Sequence, residues 1–186
     1  MDNSIEYCRQ YRNTMNGIVD YILSNEKSVR EFGDSLTWSD LESIPIWLLW
    51  KKSQIDHLAL IAGTIFLLPS IKIWIDSKKI REVSELVGED VFDFILSNTH
   101  VDNQRVISLN ITNVKENLLS AGASVIFSCY NIRIRPWLSH TLPKSKGKLE
   151  SVLANEILKH AIYVLENTRS NIKVEDRNNE LPGHSK

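Results

Sequence analysis

The stretch SQIDHLALIAGTIFLLPSIKIWI, residues 53–75, decides how the chain is read. Ser53 and Asp56 stand at the spacing of a capping box, in which a hydroxyl and a carboxylate occupy orphan N–H groups at a helix start. From Leu58 to Leu68 every position is apolar or small, which leaves no polar face for water. A helix that is apolar all round is either a core helix or a membrane span. Residues 58–75 carry one charge, Lys72, and come close to the ~20 apolar residues that cross a bilayer. Against a span stand Pro69, Ser70 and Lys72 in one turn, with Asp56 and His57 just outside. Pro69 lacks a backbone donor and is expected to kink or end the helix. The reading is a buried central helix around which amphipathic helices pack, with a membrane-associated protein as its competitor.

The whole chain agrees with a core helix. Its 186 residues are 42% hydrophobic and 24% charged, enough for one sizeable core. Only 7 glycines and 5 prolines mean few turns, which favours helices over a sandwich or barrel. The fold class expected is mainly α, a single globular helical domain. The 22 basic and 23 acidic residues nearly cancel, so nothing global points to nucleic acid or an anionic membrane. Cys8 and Cys129 have neither disulfide-scaffold nor metal-site spacing and read as reduced thiols. The opening MDNSIEYCRQ places acids before any apolar run. It does not read as a signal peptide, and a cytoplasmic protein is expected.

Outward from the central stretch, amphipathic patterns recur. Ile5, Cys8, Met15, Val19 and Ile22 follow helical spacing on the N-terminal side. Residues 24–33 read as a loop or a frayed helix end, and Ser39 with Glu42 as another capping box. Residues 44–50 form a short apolar piece with Pro45 near its start, and Trp47 and Trp50 read as core. On the C-terminal side, residues 78–87 predict a helix with Ile80, Val83, Leu86 and Val87 inward, stopped by a left-handed Gly88. Residues 89–96 predict another, with Val91, Phe92, Ile95 and Leu96 inward. Residues 97–103 read as a loop, and 106–111 stay open between strand and helix. Residues 113–130 predict a largely buried helix with small residues at 120–124. A glycine inside a helix costs roughly 1 kcal/mol relative to alanine. Gly63 and Gly122 are therefore expected at close helix–helix contacts. Leu149, Val152, Leu153, Ile157, Ala161, Val164 and Leu165 mark the last amphipathic helix. Residues 1–166 are expected to form the domain, and 167–186 a mobile tail.

Chemistry leaves little trace. The sequence has no glycine-rich phosphate loop, nucleophile elbow or HExxH motif. His57, His100, His140, His160 and His184 are scattered, and His57 beside Asp56 reads as a partly buried imidazole at a helix start. Glu82, Glu85, Glu89, Asp90 and Asp93 read as solvated helix faces. No catalytic residue, metal ligand or cofactor is expected; a small helical enzyme is the alternative. One stretch stands out as a surface for partners. Arg133, Arg135, Lys144, Lys146 and Lys148 lie between residues 131 and 149 with no acid among them, interleaved with Trp137, Leu138 and Leu142. Arginine and tryptophan are enriched at protein–protein hot spots, so these five cations and Trp137 are the candidate partner-binding residues. A solvated loop with a packed Trp137 stands level with that reading.

The segment LALIAGTIFLLPSIKIWIDSKKIREVSELVGEDVFDFIL resembles the SctK family of type III secretion systems, which includes OrgA, MxiK and PscK. The resemblance lies in Ala62-Gly63, Leu68-Pro69, Ile75-Asp76 with basic residues after it, then Leu86 and Gly88 before residues 92–96. A second part is Leu118-Leu119-Ser120-Ala121-Gly122-Ala123, followed by Arg135 and Leu142-Pro143. It implies a mostly helical, non-enzymatic adaptor beneath the inner-membrane ring of the injectisome. Such an adaptor links the ring protein SctD to the pod protein SctQ, and through SctQ to the stator SctL and the ATPase SctN. No nucleic acid is implied, and membrane association would run through protein contacts.

Overall fold

The computed structural model describes residues 2–24, 37–74, 76–99, 113–143, 145 and 149–178, with side chains of 2–5, 7, 8, 38 and 169–178 left aside. Residues 106–111, open between strand and helix, lie outside these, as do most of 24–33 and 97–103. The described chain is a single mainly α-helical domain, with no strand among the described residues. In order come α1 (Asp2–Leu23), α2 (Trp38–Glu42), a 3-10 turn (Ile46–Leu49) and α3 (Lys52–Lys72). They are followed by α4 (Ser77–Val87), α5 (Glu89–Asn98), α6 (Val114–Cys129), α7 (Arg135–Leu138) and α8 (Ser151–Asn178).

The expected central helix is α3. It begins one residue before the proposed Ser53 start, and a different residue pair caps it. The Lys51 N–H donates to Gln54 Oε1 at 3.2 Å, while Asp56 accepts from Lys52 Nζ at 2.7 Å, an i,i+4 ion pair. Ile55, Leu58, Ala59, Ile61, Ala62 and Ile65 are essentially without solvent contact. The buried Thr64 hydroxyl donates back to the Leu60 carbonyl at 2.9 Å, so its polarity is satisfied within the helix. Of the 18-residue apolar window, 72% is buried inside the protein.

Pro69 does not end the helix, which continues to Lys72. The proline costs about 3 kcal/mol in a helix interior. Beside it Leu67, Leu68 and Ile71 are buried, each worth about 1.5–3 kcal/mol. Packing outweighs the lost donor.

The other helices assemble on α3. Its most extensive partner is α6, and α8 packs across both. The two glycines sit where α3 meets α6. A Cβ on Gly63 would overlap the backbone of Leu118, with its carbonyl carbon at 2.9 Å and the Gly122 nitrogen at 3.0 Å. A Cβ on Gly122 would meet Ala59, with its carbonyl carbon at 2.6 Å and Cα at 3.0 Å. Each helix thus places its backbone against the other's glycine.

The α4–α5 pair turns at Gly88, whose φ of 96° lies in the left-handed region open to glycine. Val83, Val87, Val91, Phe92 and Ile95 face inward, whereas Leu96, expected there, is 40% exposed. At α2 the capping residues are Thr37 and Asp40 rather than Ser39 and Glu42. The last helix also differs from expectation. It passes Asn167, where the apolar periodicity stops, and runs to Asn178. Thr168 is buried there, its hydroxyl bonded to the Val164 carbonyl at 2.9 Å.

Candidate functional site

The basic segment after α6 is built on a turn. Asn131 Oδ1 accepts from the N–H groups of Arg133, at 2.9 Å, and Ile134, at 3.2 Å. Asparagine side chains make this local mimic of a backbone turn readily. Pro136 then occupies the first turn of α7, where its missing donor is harmless. The chain is fastened on both sides. Tyr21 Oη of α1 donates to the Trp137 carbonyl at 3.2 Å, and Lys52 Nζ of α3 donates to the Thr141 carbonyl at 2.7 Å.

This fastening corrects the expectation for Trp137. Its side chain has no solvent exposure, and Ile134, Leu138 and Leu142 are buried around it. Burying so large an apolar surface outweighs any benefit of displaying it. Trp137 is a core residue and offers no contact area to a partner.

The two arginines are partly engaged inside the molecule. Arg135 Nε donates to the Tyr130 carbonyl at 3.1 Å. Arg133 Nη1 lies 3.3 Å from Asp40 Oδ2, with the arginine side chain 51% exposed and that of Asp40 8%. Asp40 is the polar centre of this corner. It also accepts from the Thr37 N–H at 2.9 Å, the Thr37 hydroxyl at 2.7 Å and Asn131 Nδ2 at 2.8 Å. The Thr37 bonds first, then Asn131 and Arg133, hold its carboxyl well below the usual carboxylate range. Lys144, Lys146 and Lys148 lie outside the described residues.

His57 belongs to a separate cleft of about 530 Å3 between the start of α3, the end of α4 and the start of α6. Ser53, Asp56, Glu85 and Lys115 also line it. His57 Nε2 lies 2.9 Å from the Val87 carbonyl. A carbonyl only accepts, so this nitrogen carries the proton and is not the one that acts as a base. The ring satisfies a carbonyl at the C-terminal end of α4, and Asp56 is paired with Lys52 instead. The acidic residues Glu82, Glu85, Glu89, Asp90 and Asp93 are all exposed. Among the described residues no three His, Cys, Asp or Glu side chains are grouped to hold a metal.

His160 Nε2 meets the Thr99 hydroxyl at 3.0 Å, and burial lowers the ring's pKa. The Cys129 thiol, pushed up to about 12 by burial, donates to the Val125 carbonyl at 3.3 Å. The residue missed by sequence reasoning is Asp40, although its three-residue spacing from Thr37 is a visible capping signal. Its ties to Asn131 and Arg133 join positions remote in the chain, and no local pattern marks them. Comparison with protein-family models, curated proteins and solved structures gives no match.

Proposed function

We propose that this protein is a non-enzymatic adaptor of a type III secretion sorting platform, linking an SctD-like ring protein to an SctQ-like pod protein. One observation carries the reading. The two stretches that resemble the SctK family, one in α3–α5 and one in α6, meet in space at Gly63 and Gly122. The residues on which the resemblance rests therefore lie at the centre of this fold, not in a peripheral loop. In such a molecule a rigid helical body holds surfaces at fixed positions for two partners. Its place is the cytosolic face of the inner membrane, reached through protein contacts.

The basic segment enters this reading without Trp137. What remains for a partner is positive charge, with Arg133 half exposed, and charge of this kind steers association toward acidic surfaces. The test is pairwise co-purification with each SctD-, SctQ-, SctL- and SctN-like protein of the same secretion system. Direct complexes with the first two are expected. Retention of neither would overturn the adaptor reading.

A further inference from the structure

Between α1 and the corner formed by α2 and the 3-10 turn runs a groove of about 290 Å3. Met15, Ile18 and Ile44 form its buried floor. Tyr11, 45% exposed, and Ile46, 61% exposed, stand at its walls. Glu42 lies at the rim, where its Oε1 accepts the Tyr11 hydroxyl at 3.0 Å. Among the described residues, its lining includes this one carboxylate and no cation.

Its shape follows α1. Tyr11, Met15 and Ile18 form one stripe at i, i+4 and i+7, about two helical turns or ~10 Å long. An amphipathic helix offers apolar anchors at this same repeat. Exposed apolar side chains such as Tyr11 and Ile46 beside an apolar floor are a feature of protein interaction sites, and the Glu42 carboxylate at the rim favours a basic visitor.

We propose that this groove docks an amphipathic helix of a partner protein, with leucine-like side chains on Met15, Ile18 and Ile44 and a lysine or arginine at Glu42. The proposal deepens the adaptor reading by naming the chemistry of one partner, but its test does not depend on that reading.

The probe is a labelled amphipathic helix made of leucine and lysine, titrated with the full-length protein and followed by fluorescence anisotropy. A leucine–glutamate helix of equal length is the control. The basic helix should bind and the acidic one should bind at least about tenfold more weakly. Ile46→Asp should weaken the basic helix by about tenfold or more, with its fold checked by circular dichroism. Glu42→Lys should reverse the preference between the two helices, and keeps the test decisive if Ile46→Asp misfolds. No binding, equal binding of both helices, or binding indifferent to both substitutions would overturn the proposal. So would a wild-type dimer in sedimentation that Ile46→Asp dissolves, since a second copy would then be the occupant. Failed co-purification with secretion components counts against the adaptor reading alone.

Discussion

Asp40 shows how one side chain organises a corner of this molecule. A nearly buried carboxylate is costly unless its oxygens are satisfied, and here Thr37, Asn131 and Arg133 supply donors from two distant parts of the chain. Its pKa is depressed in the folded state, so the unfolded chain binds the proton more tightly. The stabilisation is then present above the ordinary carboxylate pKa of about 4 and is lost as pH falls below it. Thermal melts of the wild type should drop between about pH 5 and pH 2. Asp40→Asn should melt lower at neutral pH and lose part of that acid dependence. Equal pH profiles for the two proteins would remove Asp40 from the account. Cys129 makes a second expectation. With its pKa raised to about 12, the thiol is protonated at neutral pH, and only the thiolate is nucleophilic. Cys129 should react with a disulfide reagent far more slowly in the folded protein than in denaturant, as read by rates in a Cys8→Ser background. Fast labelling in the folded state would contradict the burial described.

Helix pairing turns on three glycines that behave differently. Alanine is the better helix former by about 1 kcal/mol, so a glycine with room for a methyl is a missed gain. Gly122 has no such room, because the obstruction is the backbone of Ala59, which has no rotamer to change. Overpacking typically costs about 1–3 kcal/mol, and a rigid obstruction belongs at the upper end. Gly122→Ala and Gly63→Ala should therefore lower Tm despite the propensity gain, by about 2–4 °C for each net kcal/mol. Gly17 in α1 is the contrast. Among the described residues its added Cβ would meet only the Leu49 Cδ1 tip, at 3.1 Å, and that side chain can shift. Gly17→Ala should leave Tm unchanged or raise it. Equal effects at all three positions would show that propensity, not close approach, sets these energies. The same competition explains Pro69, where buried neighbours carry α3 through a residue that should have stopped it.

For the molecule as a whole, the internal ties of Arg133 and Arg135 separate stability from association. Arg133→Glu places a carboxylate beside Asp40 and should lower Tm through like-charge repulsion and the loss of a donor. Lys144, Lys146 and Lys148 supply the rest of the segment's charge, which the adaptor reading can be tested on separately. Reversing the three lysines to glutamate should slow association with an acidic partner and flatten its dependence on ionic strength, because charge steering acts through a long-range field that salt screens. Binding rates measured across a salt series check this for each partner protein. Rates and salt slopes identical to the wild type would take the segment out of the interface.

Much of this architecture is local in origin and was therefore legible in the residues. The all-apolar run of 58–68, the three-to-four spacing in α4 and α8, and glycine at 88 report on contacts within a few positions of themselves. Even the Gly63–Gly122 approach was readable, since two unexplained mid-helix glycines ask for a packing reason. What could not be read is which distant residues meet. Trp137 in a basic, proline-interrupted segment looks like a displayed anchor until Tyr21 and Lys52, from α1 and α3, fasten that segment inward. The groove between α1 and the 3-10 turn is likewise invisible along the chain, because its floor combines Met15 and Ile18 with Ile44. Propensity, capping and periodicity act over a turn or two of chain. Burial of a loop side chain and the shape of a surface arise from close packing between helices that the sequence keeps far apart.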